Sequence, residues 1–297
     1  MPTSTASREE RLIDALKRGF PDWKATTLKQ RLKNGLVMVN GAAVVSGATM
    51  IASGDKLEIL AKPLSPASFF PAKLGPPPLD VIYADDAILA IDKPSGLLSV
   101  ASEREREVTA VRIMRGWLEE QEGEIHAAHR LDRDASGVLL FARGLEYKRI
   151  LAANWHRFGK TYLAMVDGTP PEKEGTITKP LWEDKRLFVR VAEKGGGEAA
   201  VTHYRLIRSN GARSLLEVDI ETGRKHQIRV HLASVGCPIV GDVRYGVSKA
   251  SRLALHAHRL TIFHPVDGRE IVITAKTPPL FSQWLRHIPA SFRSRRA

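Results

Sequence analysis

The sequence predicts an α+β fold divided into two domains. Long stretches of alternating apolar and polar residues, which are typical of strands, are separated by only a few helical patterns and lack the regular βαβ alternation of a doubly wound sheet. At 297 residues, the chain is longer than one average domain. A proline-rich stretch, residues 61–79, interrupts the periodic patterns and predicts a linker.

The first predicted domain spans residues 8–60. Helical spacing of apolar residues predicts a first helix in EERLIDALKRGF, and a second is predicted in TTLKQRLKNG, where a threonine offers an N-cap and Gly35 a C-cap. An Asn-Gly turn at Asn40 then predicts two strands in LVMVNGAAVV, and a further turn and strand follow in SGDKLEIL.

Basic side chains are distributed over this first domain. They are Arg11, Lys24, Lys29, Arg31 and Lys33. The order of elements resembles the α-L RNA-binding motif found in a ribosomal small-subunit protein and in RNA-modifying enzymes. That resemblance implies that these five residues bind RNA. A solvated, basic helix face is the alternative.

The second predicted domain spans residues 80–290, followed by a basic tail, 291–297. It opens with a hairpin in DVIYADDAILAIDKPSG and continues with a helix in VTAVRIMRGWLEE. The apolar run Val138–Ala142 predicts a buried strand, and residues 145–158 a helix. The remaining elements, in order, are strands in TYLAMVD, AAVTHYRLIR and SLLEVDIE, a helix in GRKHQIRVHLAS and a late strand in LALHAHRLTI.

Composition favours a nucleic-acid partner. The 45 Lys and Arg against 33 Asp and Glu give a formal net charge of +12, and cations that displace counterions from phosphates supply most non-specific nucleic-acid affinity. A basic surface that serves only solubility is the alternative. No apolar run is long enough for a membrane helix and the N-terminus is polar, so we expect no membrane partner and a cytoplasmic protein.

Several chemistries are disfavoured by spacing. The single cysteine, Cys237, excludes an internal disulfide and a multi-cysteine zinc site, and we expect no metal and no other cofactor. The FGKT stretch at 158–161 lacks the first glycine of a phosphate-binding loop and precedes a strand. Ser136 with His129 and Asp132 suggests a hydrolase triad, but the serine does not lie in a G-x-S-x-G turn.

The stretch HRLDRDASGVLL, residues 129–140, closely resembles the signature of the RluA-type pseudouridine synthases, which isomerise uridines in structured RNA. Three further stretches resemble the family in the same order. They are ILAIDKPSGLLSV, KTYLAMVDG and TGRKHQIRVHLASVGCPIVGDVRYG, followed by LALHAHRL near the C-terminus. The resemblance runs from about Asp80 to Pro278. It implies a pseudouridine synthase catalytic fold, with a mixed, mostly antiparallel sheet flanked by helices.

The resemblance also implies roles for three catalytic residues. Asp132 matches the catalytic aspartate, which attacks either carbon 6 of uracil or the anomeric carbon of the ribose. Tyr162 matches the active-site tyrosine, whose ring stacks on the base and whose hydroxyl could assist removal of the carbon 5 proton. Arg229 matches the arginine that pairs with the aspartate and keeps it ionised.

Four more residues are predicted to bind substrate. Arg130 matches the arginine that occupies the space vacated by the uridine, for which a planar guanidinium is well suited. Leu255 is the candidate for an apolar wall of the base pocket, and Lys160 and Arg224 are candidates for phosphate contacts. Lys160 could equally be a solvated strand end.

The function expected from the resemblance is pseudouridine formation in structured RNA by a monomer. Large-subunit ribosomal RNA is the preferred substrate, because an extra RNA-binding unit suits a large folded target, and transfer RNA is the alternative. A third hypothesis is an inactive RNA-binding or ribosome assembly factor. It draws support from Ala135, which stands where the family usually has threonine.

Overall fold

The computed structural model describes residues 2–33, 36–40, 42–44, 47–60, 76–101, 108–118, 124–192 and 195–286. The chain divides into two compact units, Met1–Gly75 and Pro76–Ala297. Most of the predicted linker and the whole of the predicted basic tail lie outside the described residues, so the domain limits stay predictions.

The first unit combines short strands with two helices. Its elements are β1 (Thr3–Thr5), β2 (Glu10–Arg11), α1 (Leu12–Gly19), α2 (Ala25–Lys33), β3 (Val37–Val39), β4 (Ala42–Ala43), β5 (Met50–Ile51) and β6 (Lys56–Ile59). Strands β1, β6, β3 and β4 form one antiparallel sheet, and β2 pairs with β5. Both predicted helices are confirmed, and they bury Leu12, Leu16 and Leu28 against Leu57 of β6.

The second unit carries the larger sheet. Its elements are β7 (Val81–Ala84), β8 (Ile88–Lys93), α3 (Ala110–Leu118), β9 (Ile125–Ala127), β10 (Ser136–Arg143), α4 (Leu145–Asn154), β11 (Gly159–Asp167), β12 (Glu174–Ile177), β13 (Leu181–Glu183), β14 (Val189–Val191), β15 (Thr202–Ser209), β16 (Arg213–Ile220), α5 (Gln227–Ser234), β17 (Leu255–Phe263), β18 (Glu270–Thr274) and α6 (Pro279–Arg286). None of the helices in the described ranges is long and apolar enough to cross a bilayer.

The α+β prediction and its mostly antiparallel sheet are confirmed. Ten of the described strands share one sheet, in the order β12-β15-β16-β11-β17-β10-β8-β7, with β18 on β17 and β9 on β10. Among the described pairs of this sheet, β10 and β17 alone run parallel. Every residue of β10 except Arg143 is buried, which explains the continuous apolar run in its sequence.

One predicted helix begins later than its sequence suggests. The stretch GRKHQIRVHLAS predicted a helix from Gly223, whereas α5 starts at Gln227. His226 lies in the left-handed region, with φ 52° and ψ 18°, and therefore cannot belong to a right-handed helix. The turn 223–226 instead brings polar residues to the end of α5 that faces the loop before β10.

The parallel junction between β10 and β17 requires a glycine. Ser136 pairs with His256 and Gly137 with Ala257. Gly137 has φ +112°, and a methyl group added to it would overlap the carbonyl oxygen of Ala257. Two backbones therefore approach here more closely than any side chain allows.

Replacing this glycine tests the junction. We expect Gly137→Ala to lower the free energy of unfolding by at least about 3 kcal/mol, because the left-handed strain adds to a backbone collision that cannot relax. Gly211→Ala is the matched control, since Gly211 has φ +84° but open space around its missing side chain, and it should cost about 1 kcal/mol. Urea unfolding followed by circular dichroism measures both. Equal losses would contradict the collision.

Candidate active site

The loop that carries Asp132 is held by backbone-directed hydrogen bonds from the segment after β8. Ser99 Oγ donates to the Leu131 carbonyl and accepts from the Leu131 N–H, both at 3.0 Å. Ser95 Oγ donates to the Asp134 carbonyl at 2.5 Å, and the Gly96 N–H donates to the Arg133 carbonyl at 2.9 Å. Asp132 thus projects from a loop whose backbone is fixed on both sides of it.

Lys93 completes this support from beneath the loop. Its ammonium group is buried and donates to the carbonyls of Pro94, Leu97 and Arg133 at 3.0, 2.7 and 2.9 Å. Burial lowers the pKa of Lys93 to about 8, against the opposing effect of the Asp134 and Asp132 charges. At neutral pH the group is therefore mostly charged, and it links the segment after β8 to the Asp132 loop.

Arg229 of α5 connects Asp132 to a second carboxylate. Its Nη1 donates to Asp132 Oδ2 at 3.2 Å, while its Nε and Nη2 donate to the two oxygens of Asp242 at 2.7 and 2.8 Å. The side chains of Arg229 and Asp132 are 5% and 23% exposed, and that of Asp242 is fully buried. The bidentate contact with Asp242 fixes the guanidinium plane and leaves one amino group for Asp132.

The buried pair is supported by the turn after Gly241. Asp242 Oδ1 also accepts from the N–H groups of Arg244 and Tyr245, and the Tyr245 ring lies 5.2 Å from the Arg229 guanidinium. Burial alone would raise the pKa of Asp242, but its hydrogen bonds with Arg229 hold the pKa below its ordinary value. Asp242 and Asp132 likewise hold the pKa of Arg229 above its ordinary value despite burial. Both groups are charged at neutral pH.

Strand register places Tyr162 next to the Asp132 loop. Gly137 of β10 pairs with Ala257 of β17, and Ala257 pairs in turn with Tyr162 of β11. The register shifts between Thr161 and Tyr162, and such an irregularity redirects the neighbouring side chain. Burial and the Asp132 charge raise the pKa of Tyr162, so the phenol is neutral at pH 7.

Asp132, Arg229 and Tyr162 line one cavity of about 90 Å³, which we call the central cavity. Six of the seven predicted catalytic and substrate-binding residues of the second domain lie on its wall. They are Asp132, Tyr162, Arg229, Arg130, Arg224 and Leu255. Ala135, Ile220 and Ile228 add apolar surface. A small cavity with an apolar wall, one carboxylate and several cations can accept a planar polar ring.

The cations of the central cavity differ in their partners. Arg130 is exposed and has no hydrogen-bond or ion-pair partner among the described residues. Arg224 donates to the Ala199 carbonyl at 3.2 Å and lies 3.3 Å from Glu198. Lys160 lines a neighbouring cavity instead, and the alternative that it is a solvated strand end is wrong, since it is buried.

The basic residues predicted in the first unit divide into two kinds. Arg11, Lys24 and Lys29 are exposed. Arg31 donates to the Leu60 carbonyl at 2.5 Å and lies over the Trp23 ring, so its guanidinium also holds the unit together. The side chain of Lys33 lies outside the described residues.

Sequence reasoning singled out neither the supports of the Asp132 loop nor the second carboxylate. Lys93, Ser95, Ser99, Asp242 and Tyr245 were not predicted as site residues. One local signal was present, because Lys93 ends the apolar run ILAIDK, where an unpaired lysine is unexpected. Asp242 gave no such signal, since its partner lies 13 residues away on a helix.

The side chains of the suspected hydrolase triad have other partners. Ser136 Oγ contacts His256 Nδ1 at 2.8 Å and accepts from Arg252 at 2.6 Å, while His129 accepts from the Leu140 N–H. The suspected triad of Ser136, His129 and Asp132 is therefore not assembled. Within the described ranges, no three His, Cys, Asp or Glu side chains are placed to hold a metal ion.

Comparison with known proteins gives consistent matches. The model of the family described as RNA pseudouridylate synthase matches residues 87–234. An uncharacterized RNA pseudouridine synthase of Chloroflexus aurantiacus is 37% identical over 93% of this chain and 88% of its own. The ribosomal large subunit pseudouridine synthase D of Xanthomonas campestris is 33% identical, over 94% and 88% respectively.

A solved structure supports the same fold. Human RNA pseudouridylate synthase domain containing 4 superposes with a TM-score of 0.58 and 24% identity, over 71% of this chain and 94% of its own.

Removing the negative charge of Asp242 tests whether this carboxylate anchors Arg229. We expect Asp242→Asn to lower the free energy of unfolding by about 3 kcal/mol or more, because it leaves the buried Arg229 guanidinium short of a charge partner. Glu217→Gln is the matched control, since it breaks a 2.7 Å pair with the exposed Arg205 and should cost less than about 1 kcal/mol. Urea unfolding at pH 7 measures both. Similar losses would mean that Asp242 does not anchor Arg229.

Proposed function

The chain belongs to the RNA pseudouridylate synthase family, and from that premise we propose that it isomerises specific uridines of large-subunit ribosomal RNA with Asp132 as the catalytic carboxylate. It is an isomerase that converts uridine to pseudouridine in RNA. The observation that supports Asp132 most strongly is its pairing with Arg229 at 3.2 Å in the wall of the central cavity.

The reaction needs a nucleophile. Because it is an isomerisation, substrate and product have the same composition. The Asp132 carboxylate attacks carbon 6 of the uracil or the anomeric carbon of the ribose, and the glycosidic bond to nitrogen 1 breaks. The freed base rotates, and carbon 5 forms a new bond to the anomeric carbon. The bond from Asp132 to carbon 6 or to the anomeric carbon breaks again, which returns the free carboxylate. Carbon 5 then loses its proton and nitrogen 1 gains one, so the product is an isomer of the substrate.

Arg229 keeps the nucleophile in position. Its own charge is secured by Asp242, so it can hold Asp132 without becoming an unpaired buried cation. The apolar residues around the carboxylate, Leu255 and Ile228 among them, exclude water and strengthen this pairing.

Tyr162 is suited to stack on the target base and to pass a proton. Its hydroxyl is neutral at pH 7 because its pKa is raised by burial and by Asp132. A neutral phenol can accept a proton only while it donates its own, so we assign Tyr162 a relay between carbon 5 and a second acceptor.

The remaining cavity residues would handle the displaced RNA. The Arg130 side chain is exposed and has no partner among the described residues, which supports its insertion into the space that the uridine leaves. Leu255 forms part of the apolar wall on which the base rests. Arg224 and Lys160 would contact phosphates on either side of the central cavity.

The first unit would add affinity for folded RNA. Arg11, Lys24 and Lys29 are exposed, in keeping with an α-L-like RNA-binding unit, and Arg31 and Lys33 are the further candidates. Phosphate contacts of this kind fix the position of the protein on RNA and carry little sequence information.

Large-subunit ribosomal RNA is the proposed substrate because three relatives bear the name ribosomal large subunit pseudouridine synthase D and each matches at least 94% of this chain. Transfer RNA is the alternative substrate. An inactive binding factor is disfavoured by the intact arrangement of Asp132, Tyr162 and Arg229, although Ala135 departs from the family pattern. The cytoplasmic location, the monomeric state and the lack of a cofactor stay predictions.

Mapping of pseudouridines in cells tests the proposal. Carbodiimide labelling with primer extension would be applied to total RNA from cells with the intact gene, a deletion, Asp132→Asn or Asp86→Asn. Asp86 is an exposed aspartate of the second unit and serves as the matched control. We expect sites in large-subunit ribosomal RNA to disappear in the deletion and in Asp132→Asn and to persist in Asp86→Asn, because only Asp132 faces the cavity.

Three outcomes decide between the hypotheses. Loss of sites in transfer RNA alone would replace the proposed substrate. Persistence of the sites in Asp132→Asn, but not in the deletion, would refute the assigned nucleophile. Persistence in both, together with inactivity of the recombinant protein on unmodified transcripts, would favour the binding-factor hypothesis.

Removal of the Tyr162 hydroxyl tests the relay. We expect Tyr162→Phe to lower the turnover number by about 10²- to 10⁴-fold, the range for lost acid–base assistance, while RNA affinity falls much less. Tyr162→Leu should lose both, because the aromatic face is gone as well. Single-turnover kinetics on a substrate transcript and fluorescence anisotropy give the two quantities. A turnover number for Tyr162→Phe within threefold of the parent's would contradict the relay.

A further inference from the structure

A second cavity adjoins the central one. It has a volume of about 290 Å³, and we call it the lateral cavity. The two cavities share Arg130, Tyr162, Ile220 and Gly223 in their walls, so a chain bound in one can continue directly into the other. Its volume lies at the lower end of small-ligand sites, which is the scale of a single nucleotide.

Lys160 is a buried cation that faces this cavity, and none of the described residues forms an ion pair with it. Lys160 is only 8% exposed. In the described part of the chain its Nζ has just two contacts, both long, to the carbonyls of Trp155 and Glu221 at 3.5 Å each. Burial lowers its pKa with no carboxylate to oppose the effect. A buried ammonium group in this situation is costly, and an external anion would relieve the cost.

Arg259 adds a second cation to the same wall. Its Nη2 donates to Thr161 Oγ1 at 3.2 Å, and the Thr161 hydroxyl donates to Asp219 at 2.5 Å. Among the described residues, Arg259 forms no ion pair of its own. The lateral cavity is therefore lined by two cations, Lys160 and Arg259, that have no direct carboxylate contact within the described ranges.

The rest of the wall is aromatic and apolar. His129 stacks on Trp155 with ring centroids 4.7 Å apart, and Val138 and Leu260 lie beside them. Burial lowers the pKa of His129 to about 4, so the imidazole is neutral and adds no charge at pH 7. Flat apolar surface beside two cations is the combination that binds a base and its phosphate.

We propose that the lateral cavity binds the nucleotide next to the target uridine, with its phosphate between Lys160 and Arg259. The inference rests on the proposed function and goes beyond it, because it requires a substrate RNA in which two neighbouring nucleotides leave the helical stack together. Uridines whose neighbour is held in a stable pair would then be poor substrates.

The test measures RNA binding in a background that cannot turn over. The full-length chain with Asp132→Asn would be compared with the same chain carrying Lys160→Met, Lys160→Arg or Arg259→Gln. The probe is an unmodified transcript of large-subunit ribosomal RNA, with fluorescence anisotropy over a series of KCl concentrations. Lys173→Met is the matched control, because Lys173 is exposed and lines none of the described cavities.

A lost phosphate contact has a defined signature. We expect Lys160→Met and Arg259→Gln each to reduce the slope of log association constant against log salt by up to about 0.7–0.9, the value for one phosphate. Lys160→Arg should restore the slope and Lys173→Met should leave it unchanged. In ethylation interference, Lys160→Met should abolish the effect of one alkylated phosphate adjacent to the modified uridine.

Separate outcomes refute the inference and the proposed function. Unchanged slopes for Lys160→Met and Arg259→Gln, or an equal fall for Lys173→Met, would overturn the phosphate site even if the mapped pseudouridines disappear with Asp132→Asn. Interference lost at a phosphate remote from the modified uridine would overturn the adjacent-nucleotide assignment. If the slopes fall in the binding test but the parent protein forms no pseudouridine in the mapping experiment, the proposed function would be refuted and the phosphate site would stand.

Discussion

The contact between Arg229 and Asp242 is the one on which the geometry of the site depends. A guanidinium that is 5% exposed needs a carboxylate partner to remain in the interior, and Asp242 meets two of its three nitrogen atoms while the turn after Gly241 fixes Asp242 itself. The remaining nitrogen then points at Asp132. The position of the Asp132 carboxylate is therefore set by a helix and a turn that lie far from it in sequence.

Backbone packing imposes a second constraint on the same carboxylate. Gly137 lets β10 and β17 approach closely. Ala257 of β17 pairs with both Gly137 and Tyr162 of β11, so the close approach also fixes the distance between Tyr162 and the start of β10. The end of the Asp132 loop that joins β10 is consequently fixed in position. The serine and lysine contacts from the segment after β8 fix its backbone along the way, so only the Asp132 side chain is left to respond to a substrate.

The sequence predicts structure well where the pattern lies within one segment. It predicts less well the role of a residue that depends on burial by distant segments. Periodicity predicted the long strands, the α1 and α2 helices and the buried run of β10, because each is a repeat within one segment. Resemblance named Asp132 and Arg229, which the fold joins across 97 residues. Asp242 and Lys93 were missed because a charged residue looks exposed until its partners are known. Strands of two or three residues, such as β2 and β5, are too short to show alternation.

The basic residues differ in function according to whether a protein group contacts them. Arg229 is neutralised by Asp242, and Arg31 is bound to a carbonyl and a tryptophan, so these cations stabilise the protein itself. Arg130, Lys160 and Arg259 line the lateral cavity, and no carboxylate of the described residues contacts them directly. Burial of a cation without a carboxylate partner costs free energy, and a bound polyanion would offset that cost. The net charge indicates nucleic acid in general, whereas the proposed phosphate site is argued from the location of these particular cations.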